Sequence, residues 1–141
     1  MDQDVPTKNT TAIGNLGESV AARYLQDKGY DIVERNYWKK WGEIDIVCKR
    51  HDRIHFVEVK SVSYETKELL EYAVTHETWR PEEQVHAFKM RQIQKAAETW
   101  ISEHSYAGDV QVDVIAVRLV PRETFATVNL IENVILEPQT T

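Results

Sequence analysis

A second cysteine is missing from the 141 residues. Cys48 stands alone, so neither an internal disulfide nor a zinc cage of several thiolates can form, and a reducing, cytoplasmic setting is expected. Long apolar runs are missing too: stretches such as Val114 to Val117 fall far short of the ~20 residues that cross a bilayer, so no membrane partner is expected. Met1 to Lys8 is polar, carries Asp2 and Asp4, and lacks the basic start and apolar run of a secretory signal, so the mature protein is expected to be the whole chain. There is no phosphate-binding glycine loop and no dinucleotide glycine fingerprint, and His76, His86 and His104 form no triad with a nucleophilic serine or cysteine. Positive charge is scarce overall. The net charge of -6 disfavours a polyanionic partner, yet residues 35–60 carry +3.

What is present fits a globular chain. With 42% hydrophobic and 28% charged residues, it reads as one domain over 1–141, with flexible tails at 1–8 and 137–141. Ile13, Leu16, Val20, Ala21, Tyr24 and Leu25 recur at helical spacing, with Thr10 or Thr11 as a cap and Gly29 as a stop. Tyr30–Tyr37, Glu43–Lys49 and Ile54–Lys60 read as three strands of a meander, turning at Trp38–Gly42 and at Arg50–Arg53. Residues 61–81 are acidic and weakly patterned and are expected to form a mobile loop, with Leu69, Leu70, Ala73 and Val74 able to make a short helix. Pro81-Glu82-Glu83 opens a long helix through Trp100 and Ile101. Val110–Val117 is a strand covered on both faces, interrupted only by Gln111 and Asp113, and Leu130–Leu136 is a final edge strand. The expected class is therefore α/β, a mixed central sheet flanked by helices.

The second hairpin carries the unusual chemistry. Pairing Lys49 with Ile54 across the turn places Asp45 opposite Glu58 and Glu43 opposite Lys60 on one face, leaving Ile44, Ile46, Cys48, Val57 and Val59 on the other as core. Two carboxylates opposed in a sheet repel, and partial burial worsens the repulsion. A divalent cation between Asp45 and Glu58, beside Lys60, offsets it, and hard oxygen ligands favour magnesium or manganese. The competing interpretation is a cross-strand ion-pair ladder in which Lys60 neutralises both acids. A cysteine–histidine zinc site is not expected, because Cys48 points to the core while His51 and His55 straddle a turn.

An Asp followed by Glu-x-Lys on a hairpin resembles the restriction-endonuclease-like PD-(D/E)xK superfamily. More narrowly, Gly14-x-x-Gly17-Glu18, Arg35-Asn36-Tyr37, Gly42-Glu43-Ile44-Asp45 and Phe56-Val57-Glu58-Val59-Lys60, continued by Lys89 and Val112-Asp113-Val114, resemble the YraN-like family of endonuclease-like proteins, relatives of archaeal Holliday-junction resolvases. The resemblance spans roughly residues 12 to 118. Val62 stands where such proteins often carry arginine, and the segment 63–81 is longer than usual.

The resemblance implies a restriction-endonuclease-like core and metal-dependent hydrolysis of DNA phosphodiesters, with branched or structured DNA and a homodimer suggested by the resolvases. Asp45, Glu58 and the Val59 carbonyl would hold Mg2+ or Mn2+, joined directly or through water by Glu18. Lys60 would orient or help deprotonate the attacking water, and Lys89 would reach a phosphate or the acidic pair. Arg35, Lys39, Lys40, Arg50 and Arg53 are the candidate DNA contacts, and Tyr37, Trp38 and Trp41 are interleaved with the first of these as in a base-stacking surface. Two other classes compete: a nucleic-acid-binding module that does not cut, and a protein-interaction or assembly domain favoured by the acidic balance.

Overall fold

The computed structural model describes residues 7–76 and 87–134. Helix α1, Thr7–Asp27, leads into strands β1, Asp31–Lys39, β2, Gly42–Arg50, and β3, Arg53–Ser63. Helices α2, Lys67–His76, and α3, Ala87–Glu103, precede strand β4, Asp109–Val120; a 3-10 turn at Pro121–Glu123 then leads into β5, Phe125–Ile131. The five strands lie in chain order, antiparallel except for the parallel pair β3–β4. Parallel neighbours need a crossover, and α2 and α3 lie within it. The result is a mixed α/β sheet with helices on both faces, consistent with a restriction-endonuclease-like core.

Each face has its own apolar layer. Ala21, Ala22 and Leu25 of α1 pack on Ile46, Cys48, Val57, Ile115, Val117 and Leu119. On the other face Ala96, Ala97 and Trp100 of α3 pack on Tyr37, Ile44, Val47, Ile54 and Phe56. Residues 113–117 are all buried, as a strand covered on both sides requires. Cys48 is buried, as the strand phase predicts.

Helix α1 ends where glycine permits it. Gly29 has φ +94°, its N–H donates to the Gln26 carbonyl at 3.0 Å, and the Tyr30 N–H donates to the Leu25 carbonyl at 2.9 Å. These two bonds form a Schellman motif, closed by Tyr30 and Leu25 in the same core layer. Gly14, earlier in the helix, would have open space around a Cβ, whereas a Cβ on Gly17 would overlap Ser61. Gly14→Ala is therefore expected to raise the unfolding free energy by about 0.5–1 kcal/mol through helix propensity alone, read from chemical denaturation.

Several expectations are corrected. The α1 helix is already formed at Thr7, so Thr10 and Thr11 lie inside it rather than capping it, and Thr7 and Lys8 are not tail. Of the segment 61–81, Ser61–Ser63 extend β3 along β4, and α2 follows with Thr66 as its cap, the hydroxyl accepting from the Leu69 N–H at 3.1 Å. Leu70 anchors α2 by burial. The rest of that segment, the Pro81 helix start and the tail at 137–141 lie outside the described residues. The last strand is β5 at Phe125–Ile131, not Leu130–Leu136: Thr124, in the left-handed region, closes the tight turn that starts at Pro121 and reverses the chain directly after β4. Ile44 belongs to the α3 face, not with Ile46. Asn36, φ +54°, breaks the alternation of β1, so Arg35 reaches the α1 side while Tyr37, paired with Ile44, turns toward α3.

Candidate active site

The β2–β3 ladder runs from Arg50↔Arg53 through Lys49↔Ile54 to Ile46↔Val57 and stops there. The expected opposition of Asp45 and Glu58 is therefore not a ladder pair, although the two acids are close enough for the charge of Glu58 to act on Asp45. Beyond the last pair the Asp45 carboxylate substitutes for a ladder carbonyl: the Val59 N–H donates to its Oδ2 at 2.8 Å. Asp45 is thus held between the strands by the chain segment that also carries Glu58 and Lys60. The expected opposition of Glu43 and Lys60 does not occur, because the ladder ends short of them and Glu43 pairs with Trp38 of β1.

Glu58 is buried at 5% exposure, and its two oxygens differ. Oε2 meets Lys60 Nζ at 3.5 Å and Lys89 Nζ, from α3, at 3.6 Å, whereas Oε1 is buried without a hydrogen-bond partner. A buried acceptor left unpaired costs about 1–3 kcal/mol, so Oε1 marks a place where a further donor or cation fits. Asp45 shows the same pressure. Burial, then the charge of Glu58, push its carboxyl up to about 8, with Glu18 and Glu43 adding to the rise and the Val59 N–H opposing it.

Glu18 is brought to this neighbourhood by α1, whose close approach to β3 depends on the missing Cβ of Gly17 against Ser61. Its Oε1 accepts from Arg35 Nη2 at 3.5 Å, so Arg35 faces an acid of the site. Among the described residues no three His, Cys, Asp or Glu side chains form a metal cage. The carboxylates that act on one another here are Asp45, Glu58 and Glu18, and hard oxygen donors of this kind are the class that suits magnesium. The orphaned Oε1 and the raised Asp45 fit such an ion.

The structure disperses the other basic residues. Lys39 Nζ lies 2.7 Å from Glu103, which also accepts from the Tyr37 hydroxyl at 2.8 Å. Trp41 Nε1 donates to Thr99 at 3.1 Å, so the tip of the β1–β2 hairpin is strapped to α3, and Gly42 approaches Gln92 so closely that a Cβ would overlap its carbonyl. Lys40 and Trp38 remain exposed. Arg53 pairs with Asp109 at 3.6 Å, and Arg50 lies over the Tyr30 ring at 5.2 Å. Arg50 ends β2 and Arg53 begins β3, and Arg53 lies five residues, about 17 Å along the strand, from Glu58.

One polar group escaped the sequence reading. His55 and Asp113, both buried, are joined at 2.8 Å between adjacent strands. The available clue was Gln111 and Asp113 as the two polar interruptions of an apolar strand: Gln111 Nε2 donates to Asp113 at 2.8 Å.

A family model described as "Uncharacterised protein family UPF0102" matches residues 17–117. The chain is similar to a UPF0102 protein of Trichlorobacter lovleyi, 42% identical over 114 residues, covering 79% of this chain and 81% of that one. A UPF0102 protein of Beutenbergia cavernae is 37% identical over 107 residues, covering 75% and 81%. One from Campylobacter fetus is 35% identical over 104 residues, covering 74% and 81%. The matched span contains α1 from Gly17 onward, the whole β2–β3 hairpin, Lys89 and Asp113, which are the elements that build the acidic pair and its surroundings. The chain therefore belongs to the uncharacterised protein family UPF0102.

Proposed function

We propose that this protein is a divalent-metal-dependent endonuclease of the PD-(D/E)xK type, hydrolysing DNA phosphodiester bonds in the cytoplasm. The observation that carries the reading is an Asp45 carboxyl raised by burial and by the charge of Glu58, next to a Glu58 with one oxygen buried and unpartnered and the other beside two lysines. Magnesium or manganese held by Asp45, Glu58 and the Val59 carbonyl would polarise the phosphodiester and stabilise charge developing at phosphorus.

The protein's own groups divide the remaining work. Asp45 is positioned by the Val59 N–H, and Glu58 by Lys60 and Lys89 through its Oε2. Lys60, 27% exposed at the side chain, is placed to orient a water for in-line attack, and Lys89, 34% exposed, to meet a phosphate oxygen. Glu18 adds negative charge behind the pair and is steadied by Arg35. Branched or structured DNA and a homodimer follow by analogy with resolvases, since a two-fold substrate calls for a two-fold enzyme.

A second reading, a DNA-binding module without cleavage, is favoured by the two lysines that already neutralise Glu58. Incubation of branched, single-stranded and duplex DNA with manganese separates the two. Cleavage by the wild type and its loss in Lys60→Ala are expected. Binding with no product, or equal nicking by both proteins, would overturn the nuclease.

A further inference from the structure

A second polar site lies on the α1 side of the sheet, at the β2–β3 turn. A cavity of about 360 Å³ is lined by Tyr30, Arg50, Asp52, His55, Gln111 and Glu132 among others. His55 forms part of its wall although only 5% exposed. Its Nδ1 is committed to Asp113, and Asp113 is itself held by the Gln111 amide and by the Asn133 N–H, each at 2.8 Å. Asp113 is fully buried, and burial alone would raise its carboxyl; the His55, Asn133 and Gln111 bonds outweigh that and hold it below the ordinary range. A carboxylate so fixed orients the imidazole, which leaves Nε2 as the nitrogen available to a ligand.

Arg50 completes the arrangement. It lies over the Tyr30 ring, and that ring meets the His55 ring edge-on at 5.0 Å, so the guanidinium and the imidazole belong to one packed group. Arg53 is neutralised by Asp109, whereas the fork of Arg50 faces an aromatic ring and a phenol rather than a carboxylate. A planar guanidinium beside a carboxylate-backed imidazole is a donor set for an oxyanion. The cavity exceeds a bare phosphate, and the carboxylates of Asp52 and Glu132 in its wall can accept from hydroxyls.

We propose that the cavity walled by Arg50, His55 and Tyr30 binds a phosphate monoester, its oxyanion taken by Arg50 and His55 and its hydroxyl-bearing carrier by Asp52 and Glu132. The site is separate from Asp45 and Glu58, lies at the β2–β3 turn, and does not depend on the nuclease reading.

The test is a titration of the full-length chain with inorganic phosphate, followed through the imidazole resonances of His55, in wild type, Arg50→Gln and Glu58→Gln. Saturable movement of the His55 signals is expected, weakened about tenfold or more in Arg50→Gln and unchanged in Glu58→Gln. A parallel titration with a nucleoside 5′-monophosphate distinguishes the sources. Tighter binding than phosphate identifies a carried phosphate and supports the proposal as stated. Binding no tighter than phosphate would overturn the carrier role of Asp52 and Glu132. Unsaturable shifts, or equal affinity in Arg50→Gln, would overturn the site altogether; because Arg50 is exposed, that variant is expected to fold.

Discussion

Asp45→Asn is expected to make the metal-free protein more stable and to abolish its response to manganese. In the folded chain the Asp45 carboxyl retains its proton up to about pH 8, through burial and the neighbouring Glu58, whereas in the unfolded chain it ionises near its ordinary value of 3.8. Between those limits the folded state binds more protons, so stability falls as pH rises from about 4 to about 8 and then levels off. Asparagine retains an acceptor for the Val59 N–H and cannot ionise. The variant should therefore gain on the order of 2–4 kcal/mol at pH 8 in chelator and little at pH 4.

Manganese should raise the melting temperature of the wild type by linkage and leave Asp45→Asn where it was. Cleavage, measured on the same preparations, should fall roughly a hundredfold or more, as when one electrostatic stabiliser is removed from a transition state. An equal manganese shift in both proteins would place the ion elsewhere. A wild type without any shift would remove the metal and with it the nuclease reading.

Asp113→Ala is expected to be the most damaging substitution at a polar position outside the acidic pair. It would strand the His55 Nδ1, the Gln111 amide and the Asn133 N–H, three donors that now converge on one fully buried carboxylate. Breaking a buried pair from one side costs about 3–5 kcal/mol, measurable as a lower urea midpoint at unchanged slope.

The acid dependence carries the sign of a depressed carboxylate. The contribution of Asp113 is complete above the ordinary carboxylate range and is lost as pH falls through it toward the lower folded value. The gap between wild type and variant should thus narrow on acidification. A gap below about 1 kcal/mol at pH 7 would show that water replaces the lost carboxylate and that His55 is not tied to it energetically.

The β2–β3 hairpin was legible because three local signals agreed: alternation, a tight turn, and a register that a single pairing, Lys49 with Ile54, propagates as far as Ile46 and Val57. The register held because one face of that hairpin must be buried, and a slip by one residue would expose Cys48 and Val57. Lys89, which the resemblance sets near a phosphate or the acidic pair, lies 3.6 Å from Glu58. Strict alternation along β2 puts Ile44 with Ile46, but the two face opposite layers, and the phase change lies opposite Asn36 of β1, whose backbone is left-handed. The basic character of residues 35–60 was legible, but its use was not. Lys39 and Arg53 meet acids from Glu103 and Asp109, distant in sequence, and a charge pattern along the chain contains no information about such partners.

By itself the sequence determined the class of fold, the two-faced burial of β4 and the register of the β2–β3 hairpin, because each follows from periodicity and from a turn only two residues long. Tertiary structure alone decided that one Glu58 oxygen is gripped by two lysines while the other is orphaned, that Glu18 is paired with Arg35, and that His55 is backed by Asp113. The reason is physical: local propensity acts over a few residues, whereas desolvation and charge pairing depend on which distant segments the sheet and its two helical layers bring within a few ångströms.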